Sequence, residues 1–305
     1  MSPVVSIENL RKSYGEFQAV GGVSLFVNPG EIVGLLGPNG AGKTSTLECT
    51  IGLRQPDSGN VKICGIDASQ HPAQVKQMIG AQLQATALQD KITPREAIGL
   101  FASFYEKPAS PTDLIKRFSL EEKADNTFDS LSGGQKQRLA LALAFVNQPK
   151  AIFLDEPTTG LDPQSRRELH QLILQMKQEE KAILLTTHYI EEAQQLCDRI
   201  AIIDHGQIIA TGTPAELMSK GKSLSRVSLI LSRPLDIKLI EALPNTTEVI
   251  WSGIEGQFKS SRVGVTMIEL IKLIDAQQNE LVDLRISRPS LEDVFIELTG
   301  SKLRD

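Results

Sequence analysis

The run Gly37-Pro38-Asn39-Gly40-Ala41-Gly42-Lys43-Thr44 constrains this chain more than any other feature. Its form is G-x-x-x-x-G-K-[ST], a loop whose successive backbone N–H groups converge on one anion. Glycine permits the curl. Lys43 offers a positive charge to the β- and γ-phosphates of a nucleotide, and Thr44 offers a hydroxyl to Mg²⁺. Ser45 follows directly and completes the candidate nucleotide contacts. The apolar stretch Ile32 to Leu36 reads as a buried strand entering the loop. Thr44 to Ile51 reads as the helix whose N-terminus faces the phosphates. Strand, loop and helix together set an α/β fold of the P-loop NTPase kind.

A second motif narrows the reading. Leu131-Ser132-Gly133-Gly134-Gln135 stands between that loop and Ala151-Ile152-Phe153-Leu154-Asp155-Glu156-Pro157, an apolar strand ending in acids. With these residues the chain resembles the ATP-binding subunit of an ABC transporter over roughly its first 220 residues. The strand end puts Asp155 at the carboxyl edge of the sheet, where ligands bind open α/β sheets, so Asp155 is expected to hold Mg²⁺ opposite Thr44. Glu156 is the carboxylate expected to polarise the attacking water, and in-line phosphoryl transfer asks the protein chiefly for positioning and charge neutralisation.

The resemblance assigns further roles. His188, after the strand Ile183 to Thr187, matches the histidine that contacts the γ-phosphate. Gln82 and Gln84 both suit a glutamine that reaches Mg²⁺ and water, and in a strand they share one face. The family pattern, four residues before Leu88, selects Gln84. Tyr14, before Gly15, looks like the aromatic that stacks on adenine. Ser132 and Gly134 form an anion site at a helix N-terminus, and the resemblance turns it toward the ATP of a second subunit, with Asp162 in the crossing loop. A head-to-tail homodimer with two sandwiched ATP molecules is thereby implied. So is a membrane permease on a separate chain, touched by a helical subdomain at about residues 85–148. The competing reading is an ABC ATPase that remodels a macromolecular complex without transporting anything. A single nucleotide site, with no heptad segment and no paired cysteines of zinc type, disfavours it.

The 305 residues suggest two domains, at 1–220 and 221–305 with a boundary at Gly221-Lys222-Ser223. Beyond it the pattern reads strand, helix, strand, strand, helix, strand, a ferredoxin-like order closed by a helix from Ser290 to Leu298. Leu291, Val294, Phe295 and Leu298 form one apolar stripe on that helix and are expected to be buried. Pro289 to Phe295 looks like the tail of ATPases in drug- and polymer-exporting ABC systems of the daunorubicin-resistance type, which implies export. This domain carries no phosphate loop, so bracing a dimer or restraining turnover is its expected work.

Composition excludes other classes. Lys and Arg number 32 against 37 Asp and Glu, a net charge of −5 without a basic block, so no nucleic-acid partner is expected. Cys49, Cys64 and Cys197 fit neither a disulfide framework nor a zinc site. No run nears the ~20 apolar residues of a membrane span. The N-terminus lacks the form of a signal peptide. A cytoplasmic protein, peripheral on the inner membrane face through its permease, is the expectation.

Overall fold

The computed structural model describes residues 2–84, 88–220, 224–287 and 289–300. The chain opens with a hairpin, β1 (Val5–Tyr14) and β2 (Phe17–Val27). Next come β3 (Ile32–Leu36), α1 (Lys43–Thr50), β4 (Ser58–Ile63), β5 (Ile66–Asp67), α2 (Pro72–Lys76) and β6 (Ile79–Gln82). Three helices follow, α3 (Pro94–Ala102), α4 (Pro111–Arg117) and α5 (Gly133–Ala144). Then β7 (Ala151–Asp155), α6 (Pro163–Gln178), β8 (Ala182–Thr187), α7 (Ile190–Leu196), β9 (Arg199–Asp204) and β10 (Gln207–Gly212) alternate, with α8 (Pro214–Lys220) after them.

Two sheets result. One is antiparallel, in the order β2-β1-β4-β5. The other has the order β10-β9-β3-β8-β7-β6. Its strands are parallel from β9 to β6, and β10 adds an antiparallel edge. Strands β3, β7 and β8 are buried along their whole length, which explains why they read as unbroken apolar runs. A single core unites the two sheets: Val5, Ile7, Leu10 and Val23 pack with Val33, Leu35, Leu47, Phe153 and Leu184. The loops that follow β3 and β7 thus leave the carboxyl ends of fully buried strands with β8 between them.

Local chemistry sets the helix starts. Thr93 Oγ1 accepts from the Glu96 N–H at 3.2 Å while Glu96 returns a carboxylate to the Thr93 N–H at 2.9 Å, a capping box. Ser110 caps α4, and Pro111 occupies its first turn, where the missing N–H costs nothing. The strand expected to reach Gln84 stops at Gln82.

The chain divides into two compact units, the second beginning at Ala215. The expected boundary at 221–223 lies outside the described residues, as does Ala85, where the helical subdomain was expected to begin. The second unit contains β11 (Ser225–Leu231), α9 (Ile237–Glu241), β12 (Thr246–Ser252), β13 (Glu255–Ser260), α10 (Val263–Ala276), β14 (Leu281–Ser287) and α11 (Leu291–Thr299). That is the βαββαβ order plus a closing helix, in one antiparallel sheet arranged β12-β13-β11-β14. Val227, Leu229, Leu231 and Phe258 pack there with Ile240, Leu270 and Ile274. Leu291, Val294 and Phe295 of α11 are buried as expected, but Leu298 is exposed, just before the Gly300 cap where the helix ends. Among the described residues no helix is long and apolar enough to cross a membrane.

Candidate nucleotide and catalytic site

The phosphate loop runs from β3 into α1, with Gly42 at the helix N-cap in a left-handed conformation, φ 97°. A Cβ at Gly42 would also collide with the Ala19 carbonyl, so glycine is required twice over, by torsion and by space. Gly37, Pro38, Asn39, Gly40 and Ala41 form the turn, Thr44 and Ser45 stand in the first turn of α1, and Thr44 is exposed to the cleft. Lys43 is only 4% exposed. Its Nζ donates to the carbonyls of Gly37 at 2.9 Å and Pro38 at 3.1 Å and lies 3.2 Å from Glu156 Oε1. Burial lowers the Lys43 pKa, and Glu156 and Asp155 oppose that shift without cancelling it.

Asp155 and Glu156 emerge together from β7. Asp155 Oδ1 accepts from Thr186 Oγ1 at 2.5 Å and from Thr44 Oγ1 at 3.3 Å. Burial nevertheless holds its pKa above the ordinary carboxylate value, because the two hydroxyls and the Lys43 charge offset only part of the desolvation. Glu156 takes φ 48°, a costly left-handed turn for a side-chain-bearing residue. Its N–H is pinned to Thr186 Oγ1 at 3.0 Å and to the Thr186 carbonyl at 3.2 Å. The turn aims the carboxylate back over the phosphate loop. There Oε1 faces Lys43 and Oε2 gathers His188 Nδ1 at 3.1 Å, Gln84 Nε2 at 3.4 Å and Thr159 Oγ1 at 3.3 Å. The His188 approach lacks hydrogen-bond alignment, so that contact is one of proximity. Burial raises the Glu156 carboxyl, but His188 and Lys43 together outweigh it and hold the pKa below its usual value.

The structure therefore joins Lys43, Thr44, Gln84, Asp155, Glu156 and His188 into one constellation. Gln82, the other glutamine considered, is buried in β6, and among the described residues its amide has no hydrogen-bond partner. Tyr14 sits at the end of β1, 41% exposed, with Lys12 Nζ 5.6 Å from its ring centre and Phe17 opposite it in the hairpin. Ser132, Gly134 and Asp162 belong to a separate cluster. Ser132 caps α5 in a capping box with Gln135, and Asp162 caps α6 by accepting from the N–H groups of Gln164 and Ser165, both at 3.0 Å. The two helix starts touch at Gly134, where a Cβ would meet Ser165 Oγ at 2.5 Å. Ser132 and Gly133 are exposed, so this anion-binding helix terminus is presented outward.

Sequence reasoning missed the residues that brace the two acids. Thr186, fully buried, serves Asp155 and Glu156 with one hydroxyl. Thr158 donates to Glu192 Oε1 at 2.7 Å, and His170 Nε2 lies 3.3 Å from the same oxygen. Gln137 Nε2 donates to the Pro157 carbonyl at 2.6 Å, tying α5 to the chain leaving β7. The available signal was the pair Thr186-Thr187 ending an otherwise apolar strand.

Comparison with known proteins agrees with this geometry. The family described as "ABC transporter" matches residues 20–159. The Nod factor export ATP-binding protein I of Ralstonia nicotianae is 36% identical over 313 residues, covering 100% of this chain and 96% of that protein. The linearmycin resistance ATP-binding protein LnrL of Bacillus subtilis is 32% identical over 311 residues, covering 99% and 100%. A dimeric post-hydrolysis structure of the ATP-binding cassette MJ0796, bound to ADP and Pi, superposes with a TM-score of 0.62 at 28% identity, over 68% of this chain and 98% of that one.

Proposed function

Because this chain belongs to the ATP-binding subunits of ABC transporters, we propose that it hydrolyses ATP to drive a separate membrane permease, in the export direction. The observation that carries the catalytic part is the Glu156 carboxylate, turned by its left-handed backbone to meet Lys43 on one oxygen and Gln84 and His188 on the other. A carboxylate kept ionised beside a phosphate loop is suited to orient water and take its proton. Lys43 and the loop amides neutralise phosphate charge, His188 fixes the carboxylate, and Tyr14 offers a half-exposed ring to the adenine.

The donor set fits Mg²⁺. Thr44 Oγ1 and Asp155 Oδ1 are oxygen donors 3.3 Å apart, and among the described residues no cluster of three or more His, Cys, Asp or Glu side chains forms a dedicated metal cage. That sparseness suits an ion bound through one carboxylate, a hydroxyl and nucleotide phosphates. A buried carboxylate resisting ionisation is itself a reason to bind a cation. When present, Mg²⁺ would neutralise charge on the β- and γ-phosphates; Thr44, Asp155 and Gln84 would hold it.

The outward-facing Ser132 helix terminus implies completion in trans, with two copies placed head to tail and each signature facing the other copy's ATP. Support for a permease contact comes from an apolar groove of about 400 Å³ beside the segment that carries Gln84, lined by Leu53, Leu83, Leu88, Phe101, Tyr105 and Leu143. A helix end from a membrane protein seated there would act on the loop that touches Glu156, at the inner face of the membrane. The names of the two relatives, one of Nod factor export and one of linearmycin resistance, favour export over the remodelling of a macromolecular complex.

Glu156→Gln tests the reading. Glutamine keeps the size and loses the base, so ATP binding should persist while turnover falls to near background and a long-lived dimer accumulates in ATP and Mg²⁺. Light scattering with phosphate release measures both. A fully active variant would refute the role.

A further inference from the structure

The backbone that presents Glu156 is held from two sides. On one side Thr186 of β8 pins its N–H. On the other the chain closes a turn: the Thr159 N–H is donated to the Glu156 carbonyl at 3.3 Å, and the Thr159 hydroxyl to Glu156 Oε2 at 3.3 Å. Within that turn Thr158, fully buried, donates its hydroxyl to Glu192 Oε1 at 2.7 Å. Glu192 stands in the first turn of α7, the helix that begins two residues after His188. His170 Nε2, on α6, lies 3.3 Å from the same oxygen. One helical turn earlier on α6, the Arg166 guanidinium lies 4.9 Å from the centre of the Tyr189 ring, and that ring is 4.1 Å from the ring of His188. The seam between α6 and α7 thus reaches the Glu156 turn by one arm and His188 by the other.

Glu192 is a costly residue to place in this seam. It is 2% exposed, and among the described residues its Oε2 has no hydrogen-bond partner. An unmet buried acceptor costs folding energy, and an apolar side chain of similar volume fills such a place at less cost. What the carboxylate supplies, and an apolar side chain cannot, is an acceptor for Thr158. That bond matters because of where Thr158 lies. The left-handed backbone of Glu156, φ 48°, persists only where its surroundings over-determine it. A turn fastened at Thr158 cannot unwind toward an unstrained conformation without breaking a buried hydrogen bond. It also keeps the next hydroxyl, that of Thr159, on the Glu156 carboxylate.

On the catalytic reading of Glu156, we propose that Glu192 is a positioning residue for ATP hydrolysis. Through the Thr158 hydroxyl it holds the turn that aims the Glu156 carboxylate, and it fixes that turn to the helix following His188. Glu192 touches neither nucleotide nor water; it acts through Thr158.

Steady-state hydrolysis and nucleotide binding by the full chain, with a thermal melt of every variant, test the assignment. Glu192→Leu and Thr158→Val should each lower kcat about ten-fold and leave ATP affinity unchanged, because a small displacement of a reacting group acts on the chemical step. Glu192→Gln keeps an acceptor oxygen and Thr158→Ser keeps the hydroxyl, so both should hold kcat near wild type. The double variant, Thr158→Val with Glu192→Leu, should be no slower than either single variant, since all three remove the same bond. Its two partners are both apolar, so it should stay folded and show the same loss even where a single variant does not fold. A residue that only stabilised the seam would give the opposite pattern, a lower melting temperature with wild-type kcat in the folded protein. Wild-type kcat in folded Glu192→Leu or in the double variant, a Glu192→Gln as slow as Glu192→Leu, or losses that multiply in the double variant would each overturn the proposal. Glu156→Gln separates the two levels. If it stays active, the catalytic reading of Glu156 fails; if it is inactive while the Glu192 variants turn over at the wild-type rate, only the role of Glu192 fails.

Discussion

Thr186→Val is the sharpest probe of how the two acids are set. Thr186 is fully buried, and its hydroxyl donates to Asp155 Oδ1 at 2.5 Å while accepting from the Glu156 N–H at 3.0 Å. Valine has nearly the same shape and removes both bonds. The Glu156 N–H keeps the Thr186 carbonyl at 3.2 Å, so its loss is small. Asp155 loses its shorter hydroxyl bond and keeps only Thr44 at 3.3 Å. A hydrogen bond to a charged group contributes about 1.5–3 kcal/mol. Part is recovered in folding, since a buried methyl group contributes about 0.8 kcal/mol. In catalysis nothing replaces it, and at about 1.4 kcal/mol per decade kcat/KM should fall about ten- to a hundred-fold. The Asp155 pKa, already raised by burial, should rise further without the hydroxyl. On the proposed role of Asp155, which must be ionised to hold Mg²⁺, the acid limb of activity should move to higher pH and half-saturation by Mg²⁺ to higher concentration. Thr186→Ser should restore both. Phosphate release measured against Mg²⁺ concentration at several pH values is the assay. An unchanged Mg²⁺ requirement together with unchanged turnover in the valine variant would refute the argument.

Other consequences follow from the charges. Asp155 has a folded pKa raised above its unfolded value, so its contribution favours the folded state below the unfolded pKa and is lost as pH rises through the folded one. Asp155→Asn should therefore raise the melting temperature of the nucleotide-free protein by a few degrees at neutral pH, with less gain near pH 4, while abolishing Mg²⁺-dependent hydrolysis. Calorimetry at both pH values checks this, and a lower melting temperature at neutral pH would contradict it. Lys43→Ala should weaken nucleotide binding by about ten-fold or more, since it removes a charge-assisted phosphate contact worth about 1.5–3 kcal/mol. Fluorescent-nucleotide titration measures the loss, and wild-type affinity in this variant would contradict it.

Much of this was legible in the residues. The phosphate loop and the acids after Phe153-Leu154 carry local chemistry that dictates local structure, and each is where the motif put it. Other features depend on tertiary context. Thr186 escaped because an apolar strand is read for burial, and a hydroxyl at its end becomes informative only once Asp155 lies on the neighbouring strand. The left-handed turn at Glu156 has no local signature, for it is held by bonds from β8. β6 ends at Gln82 and not at Gln84, so the two glutamines part: one is buried in the sheet, the other reaches Glu156. β10 alternates polar and apolar residues weakly and is defined by pairing with β9, a contact no linear pattern shows. On α11 the stripe pattern placed Leu298 inward, but the helix has all but ended there and the side chain is in solvent.

The central claim is that each ATP is acted on by the phosphate loop of one copy and the signature of another. Complementation tests it directly. Lys43→Ala spoils the loop and leaves Ser132; Ser132→Arg fills the signature and leaves the loop. Each variant alone should be inactive. In mixed dimers one composite site pairs the intact Lys43 of one copy with the intact Ser132 of the other, so mixing the two inactive proteins should restore ATP hydrolysis. If mixed dimers form, as shown by pull-down through a tag on one variant, and hydrolysis stays at background, the two motifs do not act across the dimer and the account is wrong.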